Sequence, residues 1–274
     1  MTLFRNFWVR KLAYSNKGGN NIMERPIIYI GDNTILTKLI YTPVIYLDPR
    51  DIVQAHIMLH GFWEHGLTSN FFQTVKPGMK VLDIGAHCGY YTLLASLLTG
   101  PTGEVHAFEA NPAHFDNLRR SLLINGYNHA TIHQVGLSNK NEEVILYVPD
   151  GGGATIINPG SQYQKEVKMK TVVFSEYFPP QQVDVMKIDI DGSEPLIMDD
   201  VIKIVDESDN IQIFLEYAPT LWVGHDPKVS LQKFADRGFN FYKVAHTGVL
   251  EPTTVEEVVA FPGPIHIDLK LTRN

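Results

Sequence analysis

"VLDIGAHCGYYT", residues 81–92, reads as an apolar strand that runs through an acid into a glycine-rich turn and then into a helix. A strand–turn–helix of this kind is where nucleotide-like cofactors sit in open α/β sheets, at the carboxyl ends of the strands. The dinucleotide fingerprint G-x-G-x-x-G is absent, because Asp83 stands where that motif has its first glycine. An acid there repels a pyrophosphate and suits a cofactor with an ammonium group and a positively charged sulfur. S-adenosylmethionine has both. One strand–helix–strand unit further on, Glu109 ends "EVHAFE", where a carboxylate can accept hydrogen bonds from both hydroxyls of a ribose. Gly85 and Gly89 are expected to let the backbone approach the methionine part of the cofactor. Ala86, Ala110 and Gly136 complete the expected cofactor wall.

Outward from this turn the pattern is alternating strand and helix. "KVLDI", "EVHAFE" and "ATIHQV" read as strands, separated by a helix over Gly89–Leu98 and another from the Asn111–Pro112 cap to Gly126. Such alternation predicts a parallel sheet with helices on both faces. "EEVILYV" and "EVKMKTVVF" interrupt it as antiparallel strands, a β-rich insertion after the third strand. The rhythm resumes with "VDVMKIDI", a helix from about Glu194, "IQIFLEY" and a helix ending at Gly238. "FNFYKV" and "IHIDLKL" then suggest an antiparallel hairpin at the sheet edge, joined by a short connection. Residues 1–75 form a separate N-terminal cap and 76–274 the cofactor-binding domain. In the cap, "PIIYI" and "VIYL" read as strands, and "DPRDIVQAHIMLHG" as a helix with Asp48 as N-cap, Pro49 first and Gly61 as stop.

Composition sets the class. The chain has 274 residues, 44% hydrophobic, with 23 Lys plus Arg against 30 Asp plus Glu for a formal charge of −7. That length supports one sizeable core, and the acidic balance disfavours nucleic acid as a partner. With Cys88 as the single cysteine there is no intrachain disulfide and no cysteine-built zinc site; together with the absence of a long apolar run or a leader pattern, this leads us to expect a cytoplasmic protein. The basic and aromatic opening, "MTLFRNFWVRKLAYSNK", suits a short amphipathic helix packed on the main domain or on a second copy in a homo-oligomer; the alternative is contact with a membrane surface.

Four segments in order, "HGFWEHG", "KPGMKVLDIGAHCGYYTLLAS", "VHAFEANP" and "VDVMKIDIDGSE", resemble the FkbM-type methyltransferases from about Ile45 to the C-terminus. The resemblance implies the seven-stranded, Rossmann-like class I methyltransferase sheet, S-adenosylmethionine as methyl donor and usually an oxygen acceptor on a sugar, glycolipid or other natural product. Asp191 stands where the family usually has glutamate, which keeps the carboxylate and shortens its reach. Glu64 matches the family's acid after the aromatic residue, a candidate for closing over cofactor or acceptor; its other reading is a surface acid at a helix end.

An alcohol is a poor nucleophile until its proton is removed or a metal polarises it. Strand alternation puts Lys187, Asp189 and Asp191 on one face if the strand extends that far. Lys187 is then a structural ion-pair partner, and Asp189 a general base or metal ligand. Glu216, ending "FLEY", belongs beside Asp189. Some methyltransferases of this fold hold magnesium through acids at these two strand ends, so the resemblance extends to Mg2+ at Asp189 and Glu216. His225 in "APTLWVGHDP" is a rival catalytic residue, His87 lies in the cofactor turn, and His56 and His60 read as packing residues. Cys88 reads as a small filler. Trp222 is placed either to stack on a sugar ring or to make a dimer contact. Three other functions compete: a non-catalytic cofactor sensor, methyl transfer to a non-hydroxyl acceptor, and a nicotinamide-dependent oxidoreductase, which Asp83 argues against.

Overall fold

A computed structural model describes residues 25–148, 154–156, 165–262 and 266–273. The basic opening segment lies outside these residues, and so does most of "DGGGATIINPG". None of the described helices is long and apolar enough to cross a membrane.

The chain first builds an antiparallel sheet of β1 (Ile27–Gly31), β2 (Thr34–Lys38) and β3 (Val44–Leu47), then α1 (Ile52–His60) and α2 (His65–Thr74). The N-cap of α1 is Asp51 and not Asp48: the Asp51 carboxylate accepts the Gln54 N–H at 2.9 Å. Asp48 instead accepts the Arg50 N–H at 3.0 Å, so the Asp-Pro pair forms the turn before the helix. Gly61, at φ 77°, ends α1 as expected. Ile45, Leu47, Ile57 and Phe71 from this layer share a core with Val81, Leu94 and Ala107 of the main body.

The main sheet uses β4 (Lys80–Ile84), β5 (Glu104–Phe108), β6 (Ala130–His133), β10 (Val185–Ile188), β11 (Gln212–Tyr217), β12 (Asn240–Val244), β13 (Leu250–Thr253) and β14 (Ile267–Thr272). Its order is β13-β12-β14-β11-β10-β4-β5-β6. The five strands from β6 to β11 are parallel, and β14 enters antiparallel between β11 and β12. The seven-stranded sheet is therefore present, with β13 added at its edge. The expected short hairpin connection is corrected: between β12 and β14 the chain makes β13 and a short helix, Val255–Val259, whose Thr254–Glu257 capping box starts it.

Helices α3 (Tyr90–Thr99) and α4 (Pro112–Asn125) cover the sheet face that the N-terminal layer also covers. In α4, Asn111 caps the Ala113 N–H at 3.1 Å and Gly126 stops the helix at φ 69°. Helices α6 (Glu194–Asp206) and α7 (Pro227–Ala235) cover the opposite face, with α5 (Phe174–Tyr177) at the end of the insertion. That insertion is a small sheet of order β7-β9-β8, from β7 (Gly136–Ser138), β8 (Glu142–Val148) and β9 (Lys165–Val173).

Candidate functional site

Strand periodicity sorts the main sheet into two faces. Leu82, Ile84, Met186, Ile188, Ile213 and Leu215 pack into the core under α6 and α7. The alternate positions Val81, Val185 and Phe214 face the N-terminal layer, and the same alternation turns Asp83, Lys187, Glu216 and Asp268 that way. Register sets Lys187 directly opposite Asp83, and Glu216 directly opposite Asp268. The first pair is of opposite charge; the second sets two acids side by side.

Lys187 is buried, with its ammonium 2.7 Å from Asp189 Oδ2 and 4.8 Å above the centre of the Tyr91 ring. Burial opposes its charge, but Asp189, Asp83 and Glu64 raise its pKa above the ordinary value. Strand β10 stops at Ile188, so Asp189 and Asp191 lie past its end, and Asp191 takes a left-handed φ of 50°. Alternation therefore does not place them, although Asp189 still meets Lys187.

Burial works against the Asp189 charge as well, yet the Lys187 ammonium holds this carboxyl below its usual value. The carboxyls around it go the other way. Burial, then the charges of Asp189, Asp191 and Glu194, push Glu216 up to about 11. Burial and Asp268 push Glu64 up to about 8, while the Tyr91 hydroxyl donates to its Oε2 at 2.9 Å. Glu64 is thus no surface acid: it faces inward from a left-handed backbone (φ 41°) at the start of α2. Burial and Asp189 raise both Asp191 and Asp268 to about 6. The cluster is an acidic pocket end short of positive charge.

This end opens into a cavity of about 330 Å³, inside the range of small-molecule sites. Of the residues expected to bind cofactor, Glu64, Gly85, Ala86, Glu109, Ala110, Gly136 and Asp189 line it, as does Glu216. Phe108, Leu137, Leu146, Met169 and Ile190 supply an apolar wall, three of them from the insertion. Three expectations are corrected. Asp83 lies behind the wall, 1% exposed, where Oδ2 accepts the Thr92 hydroxyl at 2.5 Å and Oδ1 has no hydrogen-bond partner among the described residues. Gly89 does not line the cavity: a Cβ there would lie 2.3 Å from Leu118 Cδ1, so helix packing is what excludes a side chain. His225 is exposed and belongs to a separate groove with Asn139 and Asp226, away from the carboxylates. Gly85 does reach the cavity, but its missing Cβ serves the fold, since a Cβ would fall 1.7 Å from the Asp189 carbonyl oxygen. Trp222 is buried at 2% exposure and donates its indole N–H to Glu194 Oε2 at 3.0 Å, so it neither stacks on a ligand nor meets a partner.

At the other end, Glu109 Oε2 accepts the His87 N–H and Oε1 the Asn111 N–H, both at 2.7 Å. Burial opposes its charge, but His114, His87 and the Asn111 N–H hold its pKa low. A carboxylate kept ionised with lone pairs to spare is what two ribose hydroxyls need. An apolar wall between this acceptor and a cation-seeking acidic end fits S-adenosylmethionine. The all-oxygen set Asp189, Asp191 and Glu216, with one donor atom each within 4.8 Å of the others, fits Mg2+.

Sequence reasoning missed Asp51, His114 and Asp268. Gln54, three residues after Asp51, was the available signal for an N-cap at Asp51. Asp268 becomes visible only through strand register. Cys88 is buried as expected.

A model of the methyltransferase FkbM domain matches residues 83–241. The protein-L-isoaspartate O-methyltransferase of Methanothermobacter thermautotrophicus is 29% identical over 123 residues, 38% of this chain and 57% of that protein. The chain thus spans little more than half the length of that curated relative. Among solved structures, M. jannaschii TYW2 in complex with AdoMet is 14% identical at a TM-score of 0.49, covering 91% of this chain and 90% of that one. A SAM-dependent O-methyltransferase from Thermotoga maritima is 12% identical at a TM-score of 0.46, covering 89% and 94%.

Proposed function

Since the chain belongs to the FkbM methyltransferase family, we propose that it moves the methyl group of S-adenosylmethionine to a hydroxyl of a carbohydrate, glycolipid or other natural-product acceptor. The observation that carries this reading is the single cavity joining an ionised Glu109 to the Asp189–Glu216 edge. Bound there, the cofactor supplies an electrophilic methyl on a sulfonium that leaves as a neutral thioether. The residues have separable roles. Glu109 holds the ribose hydroxyls, and the acidic end, with Glu64 and Asp189, favours the cofactor's positive charges. Asp189 is ionised and is the base available to an acceptor hydroxyl, taking its proton as the new C–O bond forms. Glu216, kept protonated beside it, donates a hydrogen bond that orients the acceptor oxygen.

Magnesium is the alternative within this proposal: Asp189, Asp191 and a deprotonated Glu216 would hold it, and it would supply a Lewis acid at the acceptor oxygen in place of the Asp189 base and the Glu216 hydrogen bond. The net acidity of the chain supports a non-nucleic-acid acceptor.

Calorimetry of S-adenosylmethionine and its demethylated product, with and without magnesium, tests the site on the wild type and on Glu109→Ala. Binding by the wild type that Glu109→Ala abolishes is expected. No binding by folded wild type refutes the cofactor assignment. Cofactor binding with no methyl transfer across a panel of glycans, glycolipids and other hydroxylated acceptors would favour a sensor or a non-hydroxyl acceptor.

A further inference from the structure

We propose that Asp51, His87 and His114 form a site for one transition-metal ion, best matched by Zn2+, on the wall of the main cavity. The three residues come from three elements: the N-cap of α1, the turn after β4 and the first turn of α4. His87 Nε2 lies 2.9 Å from Asp51 Oδ2, and His114 Nε2 lies 3.7 Å from the same oxygen. One donor atom from each residue lies within 4.8 Å of the other two. Tetrahedral zinc with bonds of about 2.0–2.1 Å needs its donors roughly 3.3 Å apart, so small side-chain rotations bring these three to bonding distance. Two imidazoles and one carboxylate favour zinc over the hard cations that suit the oxygen-only cluster at the other end of the cavity.

An ordinary Asp–His pair explains only half of this arrangement. One proton between Asp51 and His87 satisfies that contact and leaves a second imidazole nitrogen aimed at the same oxygen. The surroundings also constrain these donors. The Gln54 N–H occupies Asp51 Oδ1 at 2.9 Å, leaving Oδ2 for the histidines. His114 Nδ1 sits 3.8 Å from Glu109 Oε1, so a carboxylate lies on the far side of this ring, one small rotation from the hydrogen bond that orients metal-bound imidazoles. The two rings pack edge to face, with centroids 4.1 Å apart. His87 and His114 line the cavity, which leaves an approach and an open fourth position for water or a ligand atom. An ion held here ties the N-terminal layer to the turn and to α4.

The test uses the full chain, stripped with a chelator and free of any affinity tag. Zinc chloride is titrated by calorimetry, and Co2+ is followed through its visible absorption bands. One Zn2+ per chain is expected, with a rise in melting temperature. Asp51→Asn, which keeps an N-capping side chain, and His114→Ala are each expected to weaken binding at least tenfold. Glu216→Gln and a His56→Ala/His60→Ala double variant are expected to bind as the wild type does. The proposal is overturned if the wild type takes up no zinc at micromolar metal, if Asp51→Asn and His114→Ala bind normally, or if the His56/His60 variant loses the ion. Neither cofactor nor turnover enters this measurement, so its failure leaves the methyltransferase reading untouched.

Discussion

Replacing Lys187 by methionine removes the ammonium from the acidic cluster while keeping a side chain of similar length. The lysine is 4% exposed and its nitrogen sits 2.7 Å from Asp189 Oδ2, with Asp83 directly across the strand pair. Removing one member of a buried pair leaves the other charge uncompensated, which costs about 3–5 kcal/mol. Asp83 adds to this, because the Lys187 charge favours its ionised form and, among the described residues, only the Thr92 hydroxyl hydrogen-bonds its carboxyl, at Oδ2. Urea unfolding, read as a shift in midpoint at constant slope, measures the loss.

The pH dependence distinguishes this mechanism from simple loss of packing. In the wild type, the folded-state pKa of Asp189 is depressed, so its contribution is present above the unfolded-state value and lost as pH falls through the lower folded one. Without Lys187, the burial that already opposes its charge lifts Asp189 above its unfolded value. The folded variant then binds more protons than the unfolded chain. Its stability falls as pH rises through that window, by about 1.4 kcal/mol per unit for each proton involved. The deficit relative to wild type is therefore expected to be larger at about pH 8 than at about pH 5. A loss below about 1 kcal/mol, or one that is the same at both pH values, refutes the claim that this ammonium neutralises the cluster.

Gly85→Ala is expected to destabilise by more than about 3 kcal/mol, since it combines a positive φ of 84° with a Cβ 1.7 Å from a backbone oxygen; thermal unfolding checks it. Trp222→Phe should cost about 2–3 kcal/mol in the same assay, chiefly for the cavity left at this buried position, because Glu194 keeps the Ile190 and Gly192 N–H groups as donors. Cofactor binding is expected to release protons and to tighten as pH rises from about 6 to about 8: Glu64 and Asp191 are held up at about 8 and about 6, and a bound cation lowers them. Calorimetry in buffers of different ionisation enthalpy measures the release, and proton uptake instead of release contradicts the picture.

The sequence makes the sheet legible because each parallel strand carries its own local signals: an apolar run, a turn glycine and a capped helix after it. The Asn111–Pro112 start and Gly126 stop of α4 are of this kind, and so is Glu109 at the end of β5. What stays hidden depends on partners distant in sequence. The Glu216–Asp268 juxtaposition needs the β11–β14 register, and the Asp51–His87–His114 contact needs the N-terminal layer docked on the cofactor turn. Glycine misleads in an instructive way. Gly85 and Gly89 suggest a ligand pressing on the backbone, whereas the groups that would meet a Cβ are the Asp189 carbonyl and Leu118. His225 fails for a related reason: a loop after a strand's carboxyl end has two sides, and this one turns toward the groove beside α6.

The two ends of the cavity place opposite electrostatic demands on whatever occupies it. At Glu109 a carboxylate stays charged because backbone N–H groups and imidazoles already surround it, so that end needs neutral hydroxyl donors and gains little from another cation. At Asp189 the carboxyls of Glu64, Asp191, Glu216 and Asp268 face the Lys187 ammonium, and burial with too little positive charge holds all four above their ordinary values, Glu64 and Glu216 far enough to keep their protons at neutral pH. A neutral ligand leaves that end protonated, and an anionic one meets repulsion from Asp189. A ligand with hydroxyls at one end and positive charge at the other answers both ends. This asymmetry, more than the glycines of the turn, is the physical basis for assigning the cavity to S-adenosylmethionine. On the proposed reading the ribose hydroxyls would lie toward Glu109 and the sulfonium toward Asp189, and the Glu109→Ala calorimetry tests the first of these.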